Sequence, residues 1–318
     1  MAPVDLSTDL GGVVLPNPVM TASGCAANGR ELHRFVDVAS LGAFVTKTVM
    51  SQPRSGRPTP RMAETPSGML NSIGLQGPGI RAFCEEDLPW LREHGARVLV
   101  SIAGGTAGEF ADVAAHLAAS PAYDCVAGVE VNISCPNVAN RGQVFACNPE
   151  ASAKVLTLVR ERLPSGTPLF AKLSPDVTDI VEIAASVLGS GATGLTMINT
   201  LLGVVIDTER LRPQLAAVTG GLSGPAVRAV AVRAVWQVHA AMRAGTLPEA
   251  PIIGVGGVRT GADALELVAA GACAVQVGTA TFHDPTAPRL ALDGLAGLVA
   301  AHGFDRFADV VGIAHERT

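Results

Sequence analysis

Aromatic residues are scarce in this chain of 318 residues, at 4%. Few rings leave little material for the stacked platforms that hold single-stranded nucleic acid. Positive charge is also short: 23 Lys plus Arg face 28 Asp plus Glu, a net charge of −5. A general nucleic-acid binder would carry a basic stripe, so that class is excluded. Cysteine is sparse as well. The six thiols are Cys25, Cys84, Cys125, Cys135, Cys147 and Cys273. None form a Cys-x-x-Cys pair, which argues against a zinc knuckle or an iron–sulfur site. They are too few for a disulfide scaffold and read as reduced thiols. Met1–Leu10 holds no basic segment followed by an apolar run, so no secretory signal is expected. The longest uncharged stretch, Ile183–Ile206, could span a bilayer by length. Gly189, Ser190, Gly191, Gly194, Asn199 and Gly203 break it into helix end, turn, strand and loop. The expectation is a cytoplasmic protein with neither a membrane nor a nucleic-acid partner.

What is abundant is apolar: 48% of residues, enough for a large core. Short apolar runs recur at Pro18–Ala22, Ala43–Thr46, Arg97–Ala103, Val126–Ile133, Pro168–Leu173, Gly194–Asn199, Pro251–Val255 and Ala274–Val277. Helical patterns follow at Arg30–Ala39, Ile80–His94, Ala107–Ala118, Pro149–Arg162, Val177–Leu188, Pro225–Arg243, Gly261–Ala270 and Pro288–His302. Alternation of this kind predicts an α/β fold with a parallel sheet, and eight repeats favour a closed (β/α)8 TIM barrel. The strands are continuous apolar runs, as expected when both faces are covered. Residues Val4–Leu15 are expected to form an N-terminal hairpin under the barrel. Three connections are long: Lys47–Gly79, Cys135–Asn148 and Thr200–Gly224. All leave the C-terminal ends of strands, where barrel active sites sit. No linker interrupts the chain, so 1–318 reads as one domain.

Two glycine turns close the last two strands. Ile252-Ile-Gly-Val-Gly-Gly-Val-Arg-Thr-Gly261 reads as strand, turn and helix start, and Gly271-Ala-Cys-Ala-Val-Gln-Val-Gly-Thr279 as a strand ending in Gly-Thr. Glycines there let backbone N–H groups approach an anion, and these barrel loops commonly bind phosphate. One such turn would read as a tight turn alone; two at successive strand ends favour a phosphate site. Other strand ends carry polar residues: Thr46-Lys47-Thr48, Asn132-Ile-Ser-Cys-Pro-Asn137, Ala171-Lys172-Leu-Ser174 and Ile198-Asn199-Thr200. One lysine after a strand is ordinarily a surface residue. Two lysines and two asparagines converging on one barrel mouth point instead to a ligand site. Cys135 follows a strand and precedes a proline, which makes it the candidate nucleophile or base among the thiols. Cys25, Cys84, Cys125 and Cys273 read as buried structural cysteines, and Cys147 as a surface thiol. The histidines are assigned no role, and Trp90 and Trp236 read as helix packing residues.

Five segments carry a resemblance: Asn71-Ser-Ile-Gly-Leu-Gln76, Asn132-Ile-Ser-Cys-Pro-Asn137, Ile198-Asn-Thr-Leu-Leu-Gly203, Gly220-Gly-Leu-Ser-Gly-Pro225 and Ala274-Val-Gln-Val-Gly-Thr279. Together they resemble dihydroorotate dehydrogenase, the flavin enzyme of pyrimidine synthesis, over nearly the whole chain. Cysteine at 135, where the membrane-associated class has serine, resembles the soluble class 1. The wording of the glycine-rich segments is most similar to the class 1B catalytic subunit. That resemblance implies oxidation of dihydroorotate to orotate in UMP synthesis. Cys135 would remove the C5 proton and hydride would pass from C6 to FMN. FMN would be held by Ser23, Lys47, Thr48, Ser101, Asn132, Lys172, Ile198, Gly224, Gly256, Gly257, Gly278 and Thr279. Substrate would be held by Lys47, by Asn71, Ser72, Ile73, Gly74 and Leu75, and by Asn132, Asn199 and Thr200. No metal is implied. The resemblance further implies a homodimer within a heterotetramer. Its partner subunit would carry FAD and a [2Fe–2S] cluster and pass electrons to NAD.

The chain departs from the family at a few points. Ser101 stands where asparagine is usual, as do Gly77 and Arg57, and Val138-Ala-Asn-Arg-Gly-Gln143 differs in wording. Other readings stay open. They are a fumarate-using class 1A enzyme, a related dihydropyrimidine dehydrogenase, a flavin-free phosphate-binding barrel, and a non-enzymatic interaction subunit.

Overall fold

Apolar runs flanked by glycine and proline become eight parallel strands. In the computed structural model, which describes residues 4–134 and 144–316, they lie at the following positions. They are β1 Val19–Thr21, β2 Phe44–Val45, β3 Val98–Ile102, β4 Val126–Asn132, β5 Leu169–Leu173, β6 Gly194–Met197, β7 Ile252–Val255 and β8 Ala274–Val277. Hydrogen bonding runs β1-β8-β7-β6-β5-β4-β3-β2. The remaining seam is closed by a parallel bridge between Met20 and Ala43. Beside it, Gly42 N–H donates to Val19 O at 2.8 Å, and Val45 N–H to Thr21 Oγ1 at 2.8 Å. Gly42 permits this approach, because a Cβ there would collide with the Asn17 carbonyl oxygen. The closed α/β barrel expected from the eight-fold alternation is therefore present.

Helices surround the strands, and side-chain caps set where several begin. Thr106 caps Ala107–Ala118, its Oγ1 accepting from Glu109 N–H at 3.2 Å. Asn148 accepts from Ala151 N–H at 2.7 Å, with Pro149 opening Pro149–Arg160. Thr260 and Asp263 cap Gly261–Ala269 reciprocally. Caps also explain where the expected boundaries shift. Asp179 accepts from the Val181 and Glu182 N–H groups, so the helix expected from Val177 starts later, as Ile180–Leu188. The expected helix Arg30–Ala39 is instead one turn, Arg30–His33, followed by a 3-10 turn, Val38–Ser40. There Asp37 accepts from Ala39 N–H at 3.0 Å, a local bond that competes with continuous helix.

Strand register sorts the barrel interior into levels, because paired residues of a parallel sheet share a face. At the lower level Met20, Leu99, Phe170 and Ile253 pack together. Beneath them sits the N-terminal hairpin Thr8–Asp9/Val14–Leu15, which adds fully buried Leu10 and Leu15. One level up are Val45, Glu130, Thr196 and Gln276, and above these Ser101, Lys172 and Val255.

Over the C-terminal ends lies a second, antiparallel sheet in the order Leu201–Gly203, Gly220–Ser223, Gly68–Asn71, Met62–Thr65. These residues were expected within long loops. They form strands because segments far apart in sequence pair, Asn71 with Gly221 and Leu70 with Leu222. A smaller hairpin, Ile206–Asp207/Arg212–Pro213, extends from the same region. Among the described residues, no helix is long and apolar enough to cross a membrane.

Candidate active site

Barrel top and antiparallel sheet enclose a cavity of about 1130 Å³. A drug-sized ligand ordinarily occupies about 300–1,000 Å³, so the space suits two small molecules side by side. Its walls come from distinct elements. The turns after β7 and β8 supply Gly256, Gly257, Gly278 and Thr279, and Gly224 lies on the same wall. Strand ends supply Ser23, Lys47, Thr48, Asn132, Lys172, Ile198, Asn199 and Thr200. The antiparallel sheet and the turn after it supply Asn71, Ser72, Ile73, Gly74 and Leu75. The structure thus brings the cofactor and substrate candidates into one space, with two exceptions. Ser101 is fully buried and does not line the cavity; its hydroxyl lies 3.0 Å from Thr48 Oγ1, which stands between it and the opening. Cys135 lies outside the described residues.

The glycine turns are shaped by close packing. Gly257 has φ +74°, and a Cβ there would lie 2.6 Å from Arg228 Cβ. Gly256 has φ +139°, with Ala231 Cβ 2.8 Å from the same imagined atom. Only glycine fits both the dihedral and the space, and the backbone itself forms the wall. Arg228 is fixed by Asp263 and by Glu266 Oε2 at 2.8 Å. The Thr279 hydroxyl donates to Ser223 Oγ at 2.8 Å, tying the β8 end to the antiparallel sheet.

A chain of short polar side chains runs across the barrel mouth. Ser23 Oγ lies 2.8 Å from Thr48 Oγ1. Asn132 Nδ2 donates to Thr48 Oγ1 at 3.4 Å, and Asn199 Nδ2 donates to Asn132 Oδ1 at 3.0 Å. Thr200 N–H in turn donates to Asn199 Oδ1 at 2.9 Å. Each member holds the next in one rotamer, which is how a polar site is made rigid. Lys172, 5% exposed, donates to Glu130 Oε1 at 3.4 Å, and Gln276 Nε2 donates to Glu130 Oε2 at 2.8 Å.

Cys25 was expected to be a buried structural thiol, and it lines this cavity instead. Burial pushes its thiol up to about 11, against the opposing pull of Lys172 and Lys47. It is a poor nucleophile at neutral pH for that reason. Cys147 is exposed, as expected, and Cys84, Cys125 and Cys273 are half-buried. Trp90 and Trp236 pack against the core, Trp90 stacked on His94 and Trp236 on His315. His283, given no role from sequence, stands on the cavity wall. Three supporting residues escaped the sequence reading: Glu130, Gln276 and Ser223. The signal for the first two was present as an acid and an amide inside otherwise apolar strands. Among the described residues no three His, Cys, Asp or Glu converge to hold a metal ion.

Known proteins are similar to this sequence over nearly its whole length. A family model described as Dihydroorotate dehydrogenase matches residues 5–298. The chain is 47% identical to the dihydroorotate dehydrogenase B (NAD(+)) catalytic subunit of Geotalea daltonii, covering 98% of this chain and 99% of that protein. It is 48% identical to the subunit of the same name from Geobacter sulfurreducens, over 98% and 95% of the two chains. For the one from Geobacillus sp. the identity is 45%, over 96% and 95%. With matches of this extent, the chain belongs to the dihydroorotate dehydrogenase family.

Proposed function

We propose that this chain oxidises dihydroorotate to orotate in the pyrimidine route to UMP, using FMN, as the catalytic subunit of an NAD-linked enzyme. Its electrons pass to NAD through a partner subunit carrying FAD and a [2Fe–2S] cluster, and two copies of the chain sit within a heterotetramer in the cytoplasm. The chain itself supports the division of labour: it holds no Cys-x-x-Cys pair and no Gly-x-Gly-x-x-Gly turn on its late glycine strand. The relatives named above are NAD(+)-linked catalytic subunits.

The observation that carries this reading is one cavity lined by both glycine turns and by the lysine–asparagine set. The residues fit the cofactor. Gly256, Gly257 and Gly278 present backbone where a Cβ would crowd neighbours, as a phosphate cradle requires. Thr279 and Ser223 add hydroxyls beside it. Ser23, Thr48, Asn132 and Lys172 supply polar groups for a flavin ring, with Ser101 acting from behind through Thr48. FMN, when bound, supplies the hydride acceptor that no side chain offers.

The chain's own residues do the rest. Oxidation removes a proton from C5 and a hydride from C6 of the substrate. Cys135 takes the C5 proton as its thiolate. Asn132, Asn199 and Asn71 orient the ring, because amides offer both donors and acceptors to imide edges. Lys47 answers the substrate carboxylate. Asn71 through Leu75 form the upper wall and exclude water from the reacting face.

An anaerobic visible spectrum of the purified chain, taken before and after dihydroorotate, tests the reading. A flavin band that dihydroorotate bleaches supports it, and adding NAD or fumarate then identifies the acceptor. A band bleached by dihydrouracil alone would move the substrate to another dihydropyrimidine. A folded chain that takes up no FMN would overturn the reading.

A further inference from the structure

Lys172 reaches the cavity from β5, and its ammonium is not held from the cavity side alone. Directly below, Glu130 on β4 is 0% exposed and does not line the cavity. One of its oxygens accepts from Lys172 Nζ at 3.4 Å; the other accepts from Gln276 Nε2 on β8 at 2.8 Å. A barrel interior is ordinarily filled at this depth by branched apolar residues. A buried ion pair is a weak source of stability, since desolvation offsets most of the attraction. Packing therefore gives no reason for a carboxylate here. Its placement makes sense through what it does to the lysine.

We propose that Glu130, braced by Gln276, is a positioning residue: it fixes the Lys172 ammonium at the cavity floor and sets how much positive charge reaches a flavin there. The inference rests on the reading that a flavin occupies the cavity over Lys172. Charge at this depth acts through little intervening water, so a neighbouring carboxylate offsets a large part of the lysine's field. Removing it leaves that field facing the ring and favours the form that carries the negative charge of reduction.

The test is the reduction potential of the bound flavin in the purified protein, with flavin affinity and thermal midpoint measured alongside. Glu130→Gln keeps the shape and removes the charge. The expected result is a rise in the reduced-to-oxidised ratio of about ten-fold at fixed potential, which is about 30 mV for a two-electron couple. In a Lys172→Met background the same substitution should shift the potential less, because the part that acts by fixing the ammonium is gone. Should E130Q fold poorly, Glu130→Asp keeps the charge but draws it back by one methylene. It should raise the ratio by about three-fold. A flavin potential unmoved or lowered in folded E130Q or E130D, whatever the thermal midpoint does, would overturn the proposal and leave Glu130 a structural residue. An equal shift with and without Lys172 would overturn it too. If wild-type protein takes up no flavin, the cofactor reading fails instead, and that outcome is visible before any variant is made.

Discussion

The lower and upper halves of the barrel interior are built from the same eight strands and are filled in opposite ways. Below, Met20, Leu99, Phe170 and Ile253 interlock over the hairpin residues Leu10 and Leu15, with no charge among them. Above, the same strands turn Glu130, Thr196, Gln276, Ser101 and Lys172 inward, all of them buried. Phe170 and Lys172 are two positions apart along β5, and that short distance changes the interior from packing to chemistry. The lower half gains from removing apolar surface from water. The upper half gives some of that gain up, because buried polar groups contribute little net stability even when paired. Within the barrel interior, apolar packing is concentrated at one end of the strands, and the other end is released for binding.

Two substitutions should pull these halves apart. The larger effect is expected above. Cys135→Ala should keep the yellow flavin but slow its reduction by dihydroorotate by about 10²–10⁴-fold at neutral pH, read by stopped flow. Its thermal midpoint should match the parent's. Wild-type-like reduction would remove Cys135 as the base, and a large drop in midpoint would show that the upper loops also carry stability. The reverse result is expected below. Leu15→Ala empties part of the plug and should cost about 2–5 kcal/mol in denaturant unfolding. Flavin affinity of the folded protein should stay unchanged. Weakened affinity in that variant would mean that the plug supports the site after all.

How much of this was legible in the sequence follows the same division. Helix Ala107–Ala118 and strand Ala274–Val277 occur with the expected boundaries, because periodicity, caps and glycine turns all agree there. The site was legible because closing eight parallel strands into a barrel brings every C-terminal strand end to one mouth. Residues 47, 132, 172 and 199 thereby converge with no long-range information. The antiparallel sheet was hidden because its pairing, such as Asn71 with Gly221, links segments about 150 residues apart. Each segment alone reads as a Pro/Gly-rich loop. Glu130 and Gln276 were hidden for another reason. In a strand buried on both faces, an apolar run does not say which face is the interior. Cys25 was assigned to the core because nothing local marks a residue after a short strand as a cavity wall.

A thiol stands at each end of the barrel, and pH offers the finest comparison of the two. Burial pushes Cys25, on the upper cavity, up to about 11, and Cys273, packed against the lower plug, up to about 12. Burial is the chief cause at both, and at Cys25 it is opposed by Lys172 and Lys47. In both cases the folded protein holds the thiol proton more tightly than the unfolded chain, where it titrates at about 8.5. Each thiol's contribution is therefore fully present below that pH and is lost as pH rises through the folded value. Thermal midpoints should be level through neutral pH and fall across the alkaline window, by about 1.4 kcal/mol of stability for each pH unit between a thiol's unfolded and folded values. Cys25→Ala should remove the part of the loss that is complete near pH 11, and Cys273→Ala the part that continues toward pH 12. Identical alkaline profiles for the two variants would mean that the lysines of the upper site do not reach Cys25. The electrostatic contrast between the two halves would then fail at that point.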